Sequence, residues 1–220
     1  DSTLGATYGY LLREIGRFEG YTRDPSTWEA KQLTDVIDIM ESGLRSFYWP
    51  VLPEPYTWSF LKPATTLSLS ASTSAYTLPT DFAGLAEDGF TYASGVNQQS
   101  IARVPEDSIR SMYSQANMSG PPVYYAVRPK AQVPGAQQTY EVIFYPVPDA
   151  SYTVGYRYSV APPILDNTNT CPMGGVMHAE TILEACLAAA EAKFDDQAGV
   201  HTERFQACLM ASIQLDKEMS

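Results

Sequence analysis

Apolar residues recur at spacings of three and four near both ends of the chain and alternate with polar ones through its middle. Leu4, Tyr8, Leu11, Leu12 and Ile15 form one stripe and predict a helix over residues 3–18. Leu33, Val36, Ile37, Met40, Leu44 and Phe47 form a second stripe. Ser26 and Glu29 precede it at the spacing of a capping box, and Pro50, Pro53 and Pro55 stop it. Between them and the far end the pattern shortens to runs that predict strands over residues 65–69, 89–92, 100–104, 123–127, 139–145 and 152–158. Tyr152, Val154, Tyr156 and Tyr158 alternate with Thr153, Gly155 and Arg157, and Tyr140, Val142 and Phe144 with Glu141, Ile143 and Tyr145, as in antiparallel sheet with one face better buried. Residues 146–150, with Pro146 and Pro148, predict a turn that makes a hairpin of the last two strands. A short helix from Pro105 to about Gln115, with Glu106 and Asp107 in its first turn, interrupts the sheet.

Beyond Gly174 and Gly175 the helical period returns in Ile182, Leu183, Cys186, Leu187, Ala190 and Phe194, among seven alanines between Ala179 and Ala198. Gly199 separates this helix from a last one over residues 202–217, striped by Phe205, Cys208, Leu209, Ser212 and Ile213. Neither end has enough chain to bury its stripe alone. The expected fold is therefore α+β: a bundle of the N- and C-terminal helices, residues 1–55 and 174–220, with a mainly antiparallel β domain, residues 56–173, inserted between them. Leu33, Ile37 and Met40 are expected to face Ile182, Leu183 and Cys186.

Composition sharpens that division. Fifteen of sixteen prolines fall between Pro50 and Pro172, and eleven of fifteen tyrosines between Tyr56 and Tyr158. Lys and Arg number 14 against 25 Asp and Glu, a net charge of -11 that opposes binding to phosphate backbones and to anionic lipid. The first 60 residues and those from 176 onward carry -9 of it, read either as solvated helix faces or as an acidic wall toward something that must not stick. No apolar run approaches the roughly 20 residues of a membrane span, and the N-terminus lacks a signal-peptide pattern, so the chain is expected to be soluble and, unless processing removed a signal, unsecreted. Three cysteines make a poor disulfide framework and favour a reducing compartment.

Chemistry is sparse. His178 and His201 are the two histidines, and no metalloprotease, nucleophile-elbow or phosphate-loop motif occurs. Cys171 and His178 match no zinc spacing, so no metal and no cofactor are expected. Gly174-Gly175 before a helix offers an anion weak backbone donors but reads better as a hinge, and Asp195-Asp196 lacks the spaced ligands of a calcium loop. Tyr124, Tyr125, Tyr152, Tyr156 and Tyr158 suit sheet packing better than stacking on sugars. No carboxylate pair is obliged to converge as a glycosidase would need.

Three segments stand in a telling order around the β block: Tyr56-Thr57-Trp58-Ser59-Phe60, then Tyr76-Thr77-Leu78-Pro79-Thr80-Asp81-Phe82, then the run from Ala188 to His201. This layout resembles the adaptor, or head-to-tail connector, proteins of tailed bacteriophages, in particular the tail-tubular-A type, over nearly the whole chain. The resemblance implies a structural, non-catalytic ring, commonly of twelve subunits, in the virion neck. Its partners would be the capsid portal, a tail or nozzle protein and copies of itself, with DNA passing through the channel unbound. Trp58 and Phe60 would tie bundle to sheet, and residues 194–199 would join the last two helices. The acids expected to face the channel are Glu180, Glu184, Glu191, Asp195, Asp196 and Glu203. The alternative is a virion accessory or tail protein whose Tyr-rich β domain binds a polysaccharide. The β block from Gly120 to Pro163 is longer than in shorter members of that family.

Overall fold

A computed structural model describes residues 4–93, 100–194 and 199–219. The fold is α+β, with the chain divided into a helical unit, Asp1–Leu61 with Pro162–Ser220, and a β unit, Lys62–Ala161.

In the helical unit, α1 (Tyr8–Phe18) starts where the Thr7 hydroxyl accepts from the Tyr10 N–H at 3.3 Å. Ser26 does not start the next helix. Asp24 caps a 3-10 turn, Pro25–Thr27, and α2 (Ala30–Tyr48) begins after Glu29, whose N–H donates to Gln32 Oε1 at 2.9 Å. The capping-box spacing is therefore shifted from Ser26 and Glu29 to Glu29 and Gln32. The carboxylate of Asp24 outcompetes the Ser26 hydroxyl and takes it as a donor.

α4 (Ala179–Phe194) lies between α2 and α5 (Val200–Met219). Met40, Leu44 and Phe47 share one core with Ile182, Ala185, Cys186, Leu209 and Ile213, against which Leu33, Ile37 and Leu183 pack. The stripes of the two chain ends meet as expected. Gly43 sets how closely: a Cβ there would lie 2.5 Å from Cys186 Cα and 2.8 Å from the Ala185 carbonyl oxygen.

The β unit holds two sheets. The first has the order β1 (Ala64–Leu69), β7 (Tyr152–Val160), β3 (Phe82–Tyr92). The second runs β2 (Ala75–Thr77), β6 (Tyr140–Tyr145), β5 (Tyr124–Pro129), β4 (Ala102–Arg103), with β4 and β5 parallel and the other ladders antiparallel. Phe90 of the first sheet meets Tyr125 and Phe144 of the second, ring centres 4.9 and 5.2 Å apart, and Tyr156 of its own sheet at 4.8 Å. α3 (Glu106–Gln115) covers the outside of the second sheet, placing Ile109 against Ala126, Ile143 and Tyr145.

Two expectations change here. β6 and β7 are not a hairpin, since they belong to opposite sheets. Pro146 and Pro148 have no N–H with which to continue a ladder, and both edges of β7 are taken by β1 and β3. β6 is also covered on both faces, Val142 and Phe144 on the inter-sheet side and Ile143 and Tyr145 under α3, so its apolar run is nearly continuous.

Candidate functional site

The six candidate acids separate by position. Glu184 and Glu191 turn inward, with 1% and 6% exposure. Glu184 accepts from His201 Nδ1 at 2.7 Å and pairs with Arg204 at 3.0 Å. Glu191 accepts the backbone N–H groups of His201 and Thr202, each at 3.0 Å, and the Thr202 hydroxyl at 3.1 Å. Burial pushes the Glu191 carboxyl up, but these donors outweigh it and hold it below its ordinary value. The donors come from the otherwise unpaired first turn of α5, whose positive dipole end favours a carboxylate. These two residues lock the α4–α5 pair and face its interior, not outward as the spacing suggested. Glu180 and Glu203 are exposed, with Glu180 meeting Arg204 at 3.1 Å. Asp195 and Asp196 lie outside the described residues, as does most of the 194–199 junction.

Trp58 and Phe60 sit in the helical unit just before the chain enters the β unit at Lys62. Trp58 is fully buried, its indole N–H donates to the Phe47 carbonyl at 2.9 Å, and its ring meets Phe47, Tyr56, Phe60 and His178. The whole Tyr56–Phe60 segment is pinned by a residue that the sequence left unremarked. Asp216 of α5 accepts from the Tyr56 hydroxyl at 2.5 Å, the Ser59 N–H at 2.9 Å and the Ser59 hydroxyl at 2.6 Å. Burial pushes the Asp216 carboxyl up, and the donors more than reverse it, leaving it below the ordinary carboxylate range. Its signal in the sequence was a lone acid on the otherwise apolar side of the last helix, in line with Leu209 and Ile213.

The second motif also has a structural task. Tyr76 to Phe82 carries the chain from one sheet to the other, where Phe82 stacks on Tyr158 at 5.9 Å and the Tyr158 hydroxyl donates to Asp81. Of the tyrosines weighed for sugar stacking, Tyr125, Tyr156 and Tyr158 are core residues, while Tyr124 and Tyr152 are half-buried.

An apolar groove of about 740 Å³ runs between the end of α2 and the middle of α5, lined among others by Trp49, Val51, Phe205, Leu209 and Met210. Trp49, Val51 and Met210 are more than half exposed. No periodicity in the sequence marks it, because Trp49 and Val51 follow the last turn of α2 and belong to no stripe.

Among the described residues no group of three or more His, Cys, Asp or Glu is placed to hold a metal, and no helix is long and apolar enough to cross a membrane. Cys171 is exposed, whereas the buried Cys186 thiol is pushed up to about 12 by its apolar surroundings. Gly174 and Gly175 both have positive φ and shape the turn before Val176–His178.

A search of curated proteins finds no match. The family model of the SU10 adaptor protein matches residues 6–220, spanning both helical ends and the whole β insertion. The chain therefore belongs to the SU10 adaptor protein family: it is a phage adaptor protein, a structural component of the virion that associates with other parts of the phage neck.

Proposed function

We propose that this adaptor assembles as a ring of the tail-tubular-A type, of about twelve copies, between the capsid portal and the tail or nozzle, leaving a central channel through which DNA passes without being gripped. The observation that carries the reading is the family match over residues 6–220, which includes every element of both units. Net charge supports it. Each phosphate neutralised by a protein cation adds affinity through counterion release, so a conduit works better with an acidic wall, and the chain carries -11. Repulsion between copies is confined to near neighbours, because charge is screened over about 8 Å at physiological salt. Of the described candidates, Glu180 and Glu203 are the acids free to take the channel position.

Symmetry-resolved imaging of the particle neck tests the proposal. A closed ring of this chain between portal and tail, with Glu180 and Glu203 toward the axis, is the expected result. Its absence from the neck, or a single copy there, would overturn it.

A further inference from the structure

His178 is 2% exposed and its Nδ1 is buried without a hydrogen-bond partner. Its ring sits among three others, with centres 5.2 Å from Trp58, 5.4 Å from Phe60 and 5.9 Å from Phe47. Gly174 closes the remaining side, where a Cβ would lie 3.2 Å from the imidazole and 3.0 Å from Phe60. A neutral imidazole tolerates this box. An imidazolium does not, since both nitrogens then donate and Nδ1 has no acceptor, a desolvation cost that the ring faces offset only in part.

The charged and titratable groups around it offer at most a partial rescue. From α5 comes Asp216, whose oxygens already serve Tyr56 and Ser59. Lys217 lies 5.7 Å over the Tyr56 ring. From α2 comes Tyr48, whose hydroxyl is engaged by Met173: it accepts from the Met173 N–H at 2.8 Å and faces the Met173 carbonyl at 3.4 Å. Burial pushes the His178 imidazole down, and the field of Asp216 reverses this only in part.

The segment that carries His178 is a strap. It leaves the β unit at Pro162, buries Leu165 in the helical core, accepts the Tyr8 N–H at the Thr170 carbonyl (2.7 Å), and reaches His178 through Gly174 and Gly175, with φ of 105° and 73°. Two adjacent glycines on the positive side of φ let the following turn reorient at little steric cost.

We propose that His178 is a protonation latch: neutral, it locks the strap of residues 162–178 onto α2 and the Tyr56–Leu61 segment, and charged, it leaves the aromatic box and frees the strap. A histidine held neutral by the fold stabilises it fully above the ordinary imidazole value of 6.5, and that stability is lost as the pH falls below it.

The chain has two histidines, which makes the test clean. In the full-length protein, imidazole NMR should show His178 titrating below 6.5. Backbone amides of residues 170–175 should lose exchange protection over the same range. In urea unfolding between about pH 7.5 and 5.5, the unfolding constant should rise by several-fold and by no more than about tenfold, the limit set by proton uptake of the unfolded imidazole alone. His201→Gln should keep this rise and His178→Phe should abolish it. Titration of His178 at or above 6.5, strap amides that stay protected in the charged form, or an unchanged slope in His178→Phe would each overturn the latch. If His178→Phe does not fold, the wild-type titration and exchange decide alone.

Discussion

The two sides of α4 are built on opposite principles. Toward α2 the seam is made of missing atoms: Gly43 lets backbone approach backbone, and Ile182, Ala185 and Cys186 fill what remains. Its charged contact is a rim pair, Lys193 with Asp35 at 3.5 Å. Toward α5 the seam is polar along its length, with the Thr181 and Ser212 hydroxyls 2.7 Å apart, Glu184 between His201 and Arg204, and Glu191 capping α5. A close apolar seam resists any added volume and ignores pH. A buried polar seam tolerates shape changes but depends on every partner being present. One helix therefore carries a fixed joint on one side and a condition-dependent joint on the other.

Substitutions separate the two. Gly43→Ala should cost most, about 3 kcal/mol in urea denaturation, because the atoms in the way are backbone and cannot step aside. A loss under about 1 kcal/mol would mean that the α2–α4 approach relaxes cheaply. Glu184→Gln keeps the volume but removes the charge shared by His201 and Arg204, and should cost about 2 kcal/mol. In a double-mutant cycle it should couple to His201→Gln and not to Gly43→Ala. Thr181→Val should cost about 1 kcal/mol, part of it recovered when Ser212→Ala removes the orphaned partner. The smallest effect is the acid limb. Glu191 lies below its ordinary value of 4.5 in the folded chain, so its contribution is present above that pH and is lost as the pH falls further. Glu191→Gln should flatten that part of the pH–stability curve. An unchanged acid limb would show that its hydrogen bonds to α5 survive protonation.

The helix stripes were legible because one buried face leaves a period in the sequence: Leu11, Leu12 and Ile15 of α1 and Met40, Leu44 and Phe47 of α2 are all core residues. Strand β7 was legible for the same reason, with Val154, Tyr156, Tyr158 and Val160 buried in alternation. What failed was pairing. Pro146 and Pro148 announce that a strand stops, yet nothing local says which sheet the chain joins next. The burial of Glu184 and Glu191 was not legible, for a related reason. Spacing places Glu184 and Glu191 together, but whether that face meets solvent or another helix depends on α5, and a helix with neighbours on several sides has little amphipathic contrast to read. The alanine-rich run of α4 was the available clue that it is enclosed.

Ala64 pairs with Arg157, whose guanidinium Nε donates to the Lys62 carbonyl at 3.1 Å, so the strands by which the chain enters and leaves the β unit run side by side. The helical unit thus sees the hundred-residue insertion as two adjacent attachment points, whatever hangs from them. Lengthening, shortening or exchanging the distal loops changes the closure entropy only logarithmically. Such a plan separates the evolution of two surfaces: the inserted unit can be remodelled to suit a new neighbour while the helices that close the bundle keep their register.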